Sequence, residues 1–166
     1  MNVNDLEKYY SDSFYPLSQI TRDYEKSEHI VNYRCSAFPV FFTTFESLVE
    51  ALDKIDNEAR NEIRMRFLNA LNEIQLHGSL YKRGGYLKIV EKTDNISIQD
   101  IVHLTENSSI DFFIPDLEVV LEGHDNHGFI VHCNIENKCA IDKIKAILSR
   151  CSLYLLTSPF DSKLGN

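Results

Sequence analysis

The first clear periodicity in the chain is helical and runs from residue 39 to residue 74. Pro39 opens a segment in which apolar residues recur every three or four positions, the spacing of one helix face. That first stripe consists of Phe41, Phe45, Leu48, Val49, Leu52 and Ile55. Asp56 and Asn57 offer a cap for a second helix, which Gly78 ends; its stripe consists of Ile63, Phe67, Ala70, Leu71 and Ile74. The pattern predicts a helical hairpin.

After Leu80 the pattern changes to short β-type segments. The glycine pair in "YKRGGYLKIVEK" predicts a turn, followed by a strand from Tyr86 to Glu91. Ser97 is placed to cap a short helix that runs through Ile101 to Thr105.

In the last third, apolar and polar residues alternate with period two. Leu117, Val119 and Leu121 alternate with Glu118 and Glu122, and Phe129, Val131 and Cys133 alternate with His132. A helical stripe from Ala140 to Leu148 and the segment "SLYLLT" follow. We therefore expect a single α+β domain over residues 1–166, with a helical N-terminal half followed by a small, mostly antiparallel sheet with a β-β-α-β ending.

Composition fits a folded, intracellular protein. The chain of 166 residues is 43% hydrophobic and contains 10 Phe and 8 Tyr, enough apolar material for a core. Its polar, acidic N-terminus lacks the features of a secretory signal, and its longest apolar run is far too short to cross a membrane. The four cysteines form no CxxC pair. We expect a cytoplasmic protein with reduced, mostly buried thiols.

The segment "EGHDNHGFIVHC", residues 122–133, concentrates candidate chemistry. If residues 125–128 form a type I turn with a glycine bulge, Glu122 lies opposite His132 as an ordinary cross-strand pair. His124 and His127 then lie near the tip, where they could meet a metal, but no second ligand group with zinc-type spacing accompanies them. The pattern favours a structural hairpin, with no metal and no cofactor.

Enzymatic motifs are weak. "HGS" at His77 and "HLT" at His103 match the short His-x-Ser/Thr signature of 2H phosphoesterases, but at a spacing too short for that fold. "KRGG" at residues 82–85 lacks the full P-loop pattern. The enzymatic alternative is a small phosphoesterase or metal-dependent hydrolase that uses His103, His124 and His127.

Charge is the stronger signal. The chain has a net charge of −8, and no lysine or arginine lies between Lys92 and Lys138. That segment contains nine acidic residues, so the rest of the chain has 17 basic against 16 acidic residues. A surface of one sign disfavours nucleic acid and suits a partner of the opposite charge, although acidic surfaces also serve solubility alone.

Together these observations favour a non-enzymatic protein-binding module. We expect an intracellular, bacterial-type immunity protein or antitoxin that neutralises a basic, nuclease-like toxin domain by covering its active surface. The expected contacts are solvent-facing carboxylates (Asp111, Asp116, Glu118, Glu122 and Asp125) with exposed aromatic anchors (Tyr81, Tyr86 and Phe112). An acidic chaperone of a secreted protein and a phage-encoded inhibitor are the other non-enzymatic alternatives. The sequence leaves the oligomeric state open.

Overall fold

The computed structural model describes Asp5, Lys8 and residues 30–40, 44–84, 88–124, 127–134 and 136–157. Seven strands lie within these ranges: β1 (Ile30–Ser36), β2 (Leu80–Gly84), β3 (Lys88–Thr93), β4 (Ile110–Ile114), β5 (Val119–His124), β6 (Gly128–Asn134) and β7 (Tyr154–Thr157). The same ranges contain four helices: α1 (Phe45–Asp53), α2 (Asn57–Gln75), α3 (Ile98–Thr105) and α4 (Lys138–Arg150). A 3-10 turn, Pro115–Leu117, joins β4 to β5.

The strands form one antiparallel sheet in the order β3-β2-β4-β5-β6-β1-β7. The predicted architecture, a helical N-terminal half followed by a small sheet, is wrong. Strand β1 precedes helices α1 to α4 in sequence and lies between β6 and β7, and these helices are interleaved with the strands along the chain. The sheet is thus built from both halves of the chain.

Two strands escaped the sequence pattern because neither alternates cleanly. In β4, Phe112, Phe113 and Ile114 are all buried, so both faces of the strand are apolar and no period of two is visible. In β1, half-buried and buried positions follow one another irregularly. A strand with apolar residues on both faces therefore gives no period of two in the sequence.

Helix α2 follows the predicted stripe. Its buried residues are Ile63, Phe67, Ala70, Leu71 and Ile74, and the Asp56 side chain caps it by accepting a hydrogen bond from the Ala59 N–H at 2.8 Å. Helix α1 begins at Phe45, later than predicted, because the Thr44 side chain provides the cap through the Ser47 N–H. Phe41 lies outside the described residues.

Helices α2, α3 and α4 contribute to the main core on one face of the sheet. Phe67 of α2 meets Phe129 of β6 with ring centroids 5.7 Å apart. Strand residues Leu121, Val131 and Cys133 belong to the same cluster, as do Ile144 and Leu148 of α4. We call this side the core face of the sheet.

The opposite side, which we call the second face, is also withdrawn from solvent at its centre. Strand alternation places Phe113, Val120 and His132 there in neighbouring positions of β4, β5 and β6. Their exposed fractions are only 1%, 3% and 2%. Polar side chains on this face therefore sit in a buried environment, where each needs a partner.

Within the described ranges, no helix has the length and apolarity that a bilayer crossing requires. Cys35 and Cys133 are buried and Cys139 is exposed. Burial raises the pKa of the Cys133 thiol to about 12.

Candidate functional site

The β5–β6 hairpin exists, with a register offset by two residues from the prediction. Glu122 pairs with Ile130 and His124 with Gly128, so Val120, not Glu122, lies directly opposite His132. Of the two turn residues that the structure describes, His127 has a positive φ, of 52°, and Gly128 does not. Because an offset of two keeps every side chain on its predicted face, Leu121 and Val131 still share the core face.

Gly128 is required for a different reason than a left-handed turn. A Cβ placed on Gly128 would lie 2.3 Å from the backbone oxygen of Cys35 in β1. Glycine at this position therefore permits close approach of β6 to β1.

Glu122 and His132 are diagonal neighbours and hydrogen-bonded. His132 Nε2 lies 2.5 Å from Glu122 Oε2, and His132 Nδ1 lies 2.6 Å from the Asn32 amide oxygen. Both partner atoms are oxygens, so each ring nitrogen of His132 faces a hydrogen-bond acceptor. The contacts tie β1, β5 and β6 together. This pair is thus an internal link between three strands, and not the directly opposite cross-strand pair predicted from the sequence.

A second ion pair lies beside the first. Arg83 of β2 donates to Asp111 of β4, and the other Asp111 oxygen accepts the Gly123 N–H at 2.8 Å. Burial alone would raise the pKa of Glu122, but His132, and further away Arg83, lower it below its ordinary value. The predicted contact residues Asp111 and Glu122 have side chains only 15% and 25% exposed. Their carboxylates therefore interact mainly with side chains of the same protein, Arg83 and His132.

Two further carboxylates of the acidic segment are neutralised in the same way. Lys82 Nζ lies 2.7 Å from Asp100, which also forms the capping box of α3 with Ser97. Arg64 donates to both oxygens of Glu106, at 2.5 and 2.7 Å. Among the eight described carboxylates between residues 94 and 136, Asp100, Glu106, Asp111 and Glu122 are therefore held by basic side chains inside the described part of the protein.

The other four carboxylates are exposed. Three of them lie in two neighbouring connections, the one from β4 to β5 and the one from β6 to α4. Asp116 accepts the Ser79 N–H at 2.9 Å, and the Asn137 amide donates to both the Leu117 backbone oxygen and Glu118 Oε2. Glu136 directly precedes Asn137. We call Asp116, Glu118 and Glu136 the acidic end. The fourth carboxylate, Asp94, follows β3.

An exposed leucine lies close to the acidic end. Leu76 is 82% exposed, more than any other large hydrophobic residue that the structure describes. It directly follows α2, and Gly78, two residues further on, packs so closely on Asp116 that a Cβ there would lie 3.1 Å from Asp116 Cβ. The sequence indicated that Leu76 is exposed, because Leu76 does not belong to the apolar stripe of α2, which ends at Ile74.

The predicted aromatic anchors fare differently. The prediction that Phe112 is exposed is wrong, because its side chain is fully buried against the core. Tyr81 is half-buried on the second face, where it pairs with Phe113. Tyr86 and the predicted contact Asp125 lie outside the described residues.

The three histidines of the enzymatic alternative have separate surroundings. His103 Nδ1 lies 2.8 Å from Ser109 Oγ, His127 Nδ1 lies 4.0 Å from Glu106, and His124 lies on the second face near Glu122. Among the described residues, no group of three His, Cys, Asp or Glu side chains is arranged to hold a metal ion.

Comparison of the chain with protein-family models, with curated proteins and with solved structures gave no match in any of the three.

Proposed function

We propose that this protein is a non-catalytic binding module whose acidic end covers a basic surface of a partner protein. The class that fits best is an intracellular immunity protein that neutralises a toxin domain with a basic, substrate-binding surface. The observation that carries the proposal is the acidic end itself, three exposed carboxylates beside an exposed leucine.

Two of these carboxylates are held in place before any partner arrives. The Ser79 N–H fixes Asp116, and Asn137 contacts Glu118. Since binding costs the freedom of the side chains it orders, fixed carboxylates lose less on association than mobile ones. Their common sign also steers a basic partner toward this end.

Leu76 supplies an apolar anchor, which charged residues alone do not provide. Interfaces take most of their affinity from a few buried anchors, and charged residues around them contribute mainly rate and specificity. A leucine that is 82% exposed in the free protein has nearly its whole side chain to bury against a partner. The proposed partner surface is therefore an apolar depression surrounded by lysine or arginine.

The proposed contacts revise those expected from the sequence. Asp116 and Glu118 are retained, and Glu136 and Leu76 are added. Asp111 and Glu122 are left out because Arg83 and His132 engage them, and Phe112 because it is buried.

The test is an affinity capture from lysate of the native cells with three tagged baits. One is the unaltered chain, one carries Asp116→Lys, Glu118→Lys and Glu136→Lys, and the matched control carries Glu46→Lys, Glu50→Lys and Asp53→Lys on α1. Those three α1 residues are also exposed. Both variants replace three carboxylates by lysine, so they change the net charge equally.

We expect a basic protein that the unaltered bait and the α1 control retain, that the acidic-end variant loses, and that high salt releases. Leu76→Ser should weaken the purified complex, and Met65→Ser, at a residue 45% exposed on α2, should not. A partner retained equally by the acidic-end variant, or unaffected by salt, would contradict the proposal.

A further inference from the structure

Four connections of the described structure meet at one end of the sheet. Strands β3, β2, β4, β5 and β6 are antiparallel neighbours in that order, so at this end they alternately end and begin. Thr93 lies opposite Leu80 in the first pair of strands. Val119 lies opposite Ile114 on one side and Cys133 on the other. The connections β3–α3, α2–β2, β4–β5 and β6–α4 therefore lie side by side.

These four connections contain acidic residues and no lysine or arginine. Their sequences are DNIS, LHGS, PDLE and IEN, and the adjoining Lys92 and Lys138 lie within β3 and α4. All their acidic side chains are exposed, so Asp94 continues the acidic end along the sheet. Because neighbouring strands lie about 4.8 Å apart, the series extends roughly 19 Å from β3 to β6. We call these four residues the acidic row: Asp94, Asp116, Glu118 and Glu136.

Leu76 lies between the first two carboxylates of the row, in the connection that precedes β2. On one side, the neighbouring Gln75 amide donates to the backbone of the next connection, with its nitrogen 3.2 Å from the Asp94 oxygen. On the other side, the Ser79 N–H donates to Asp116. Leu76 is thus an exposed apolar residue with a carboxylate-bearing connection on each side.

Resting on the function proposed above, we propose that the basic surface of the partner is a groove that holds a single strand of nucleic acid, and that the acidic row and Leu76 occupy it. Grooves of this kind combine cations that follow the backbone with aromatic side chains on which the bases stack. The carboxylates of the row take the place of phosphates, and Leu76 packs on the aromatic surface where a base would stack.

The shape of the row selects an elongated partner surface. A compact basic patch can engage the carboxylates of the β4–β5 connection, but it does not reach from Glu136 to Asp94 across five strands. The charges of a nucleic-acid strand also follow one another in a line, so a groove that fits the strand fits a row of one sign. Leu76 favours the same kind of groove, because an apolar residue inside a row of charges needs an apolar counterpart between cations.

Nucleic acid and this protein should therefore compete for the partner. The test uses the purified complex of the full-length chain with the partner that the unaltered bait captures. A single-stranded oligonucleotide of about ten nucleotides, supplied as RNA and as DNA, should displace this protein in at least one of the two forms. Asp94→Lys should weaken the complex about 10-fold, because it reverses one charge of the row. Asp53→Lys, at an exposed carboxylate on α1, is the matched control and should not.

A lysine peptide tests the continuity of the row without the partner. Six extended lysines span about 20 Å, close to the length of the row. In an NMR titration of the isotope-labelled chain, hexalysine should shift amides in all four connections with one common dissociation constant. Asp94→Lys should raise that constant, whereas Asp53→Lys should leave it unchanged.

Displacement by neither oligonucleotide, or an Asp94→Lys variant that binds the partner as tightly as the unaltered chain, would overturn this inference and leave the proposed function standing. Hexalysine shifts that omit the β3–α3 connection would overturn it as well. The proposed function itself fails by a different result, retention of the partner by the variant in which Asp116, Glu118 and Glu136 are replaced.

Discussion

His132 Nε2 lies 2.5 Å from Glu122 Oε2, across two strands and at a position where the imidazole is only 2% exposed. The ring's other nitrogen contacts Asn32 in β1. One side chain thus connects the local β5–β6 hairpin to a strand about a hundred residues earlier in the chain.

Removing either partner of this pair should destabilise the protein. Glu122→Ala or His132→Ala leaves a buried polar group without its hydrogen bond, which costs about 1–3 kcal/mol. Because the two residues share one contact, the double variant should lose less free energy of unfolding than the sum of the two single variants. Urea denaturation of the four proteins measures this, with Glu136→Ala, an exposed carboxylate, as control. Strictly additive losses would show that the contact contributes no coupling.

Glu106 should make stability depend on acid pH. The Arg64 guanidinium holds the pKa of Glu106 below its ordinary value. A carboxyl with a depressed folded-state pKa stabilises the protein above its unfolded-state pKa, about 4.3, and loses that contribution as pH falls through the folded-state value. Glu106→Gln should therefore flatten the curve of unfolding free energy against pH below about 4.3. A variant curve parallel to that of the unaltered chain there would contradict this.

His127 should make the stability of the protein depend on pH in a higher range than Glu106 does. Burial lowers the pKa of His127, with Arg60 and Arg64 adding to the effect against the opposing pull of Glu106. The unfolded chain takes up the proton first, so stability falls as pH drops below the ordinary histidine pKa of about 6.5. His127→Asn should remove this step, since asparagine tolerates the positive φ at this position. Thermal melts between neutral and mildly acidic pH test it, with the exposed His77→Asn as control.

Gly128 should not tolerate a side chain. In Gly128→Ala the new Cβ meets the Cys35 backbone oxygen, so strands β6 and β1 must separate, at a cost of at least about 1–3 kcal/mol. In Gly78→Ala the closest atom is the Ile114 Cγ2 methyl at 2.8 Å, a side-chain atom that moves more easily. The loss in unfolding free energy should therefore be larger for Gly128→Ala than for Gly78→Ala. The reverse order would contradict the close approach of β6 to β1.

The candidate site was only partly accessible from the sequence. Acidic residues could be counted, but their exposure depends on cations elsewhere in the chain, such as Arg64 for Glu106 and Arg83 for Asp111. Those pairs join residues 42 and 28 positions apart. No local pattern encodes such a separation, so the sequence could name Asp116 and Glu118 but could not distinguish them from Asp111 and Glu122, which are held in internal pairs.

The sequence by itself determined the local elements whose signal lies within one or two turns: the stripe of α2, the Ser97 cap of α3, the stripe of α4 and the faces of the β5–β6 hairpin. Periodicity and capping are short-range properties, so they can be read without the fold. Tertiary structure decided the rest. It placed β1 between β6 and β7, buried both faces of β4, and withdrew four carboxylates into ion pairs while leaving Leu76 exposed. These outcomes depend on which distant segments meet, because burial and charge neutralisation arise from contacts between parts of the chain that no local pattern connects.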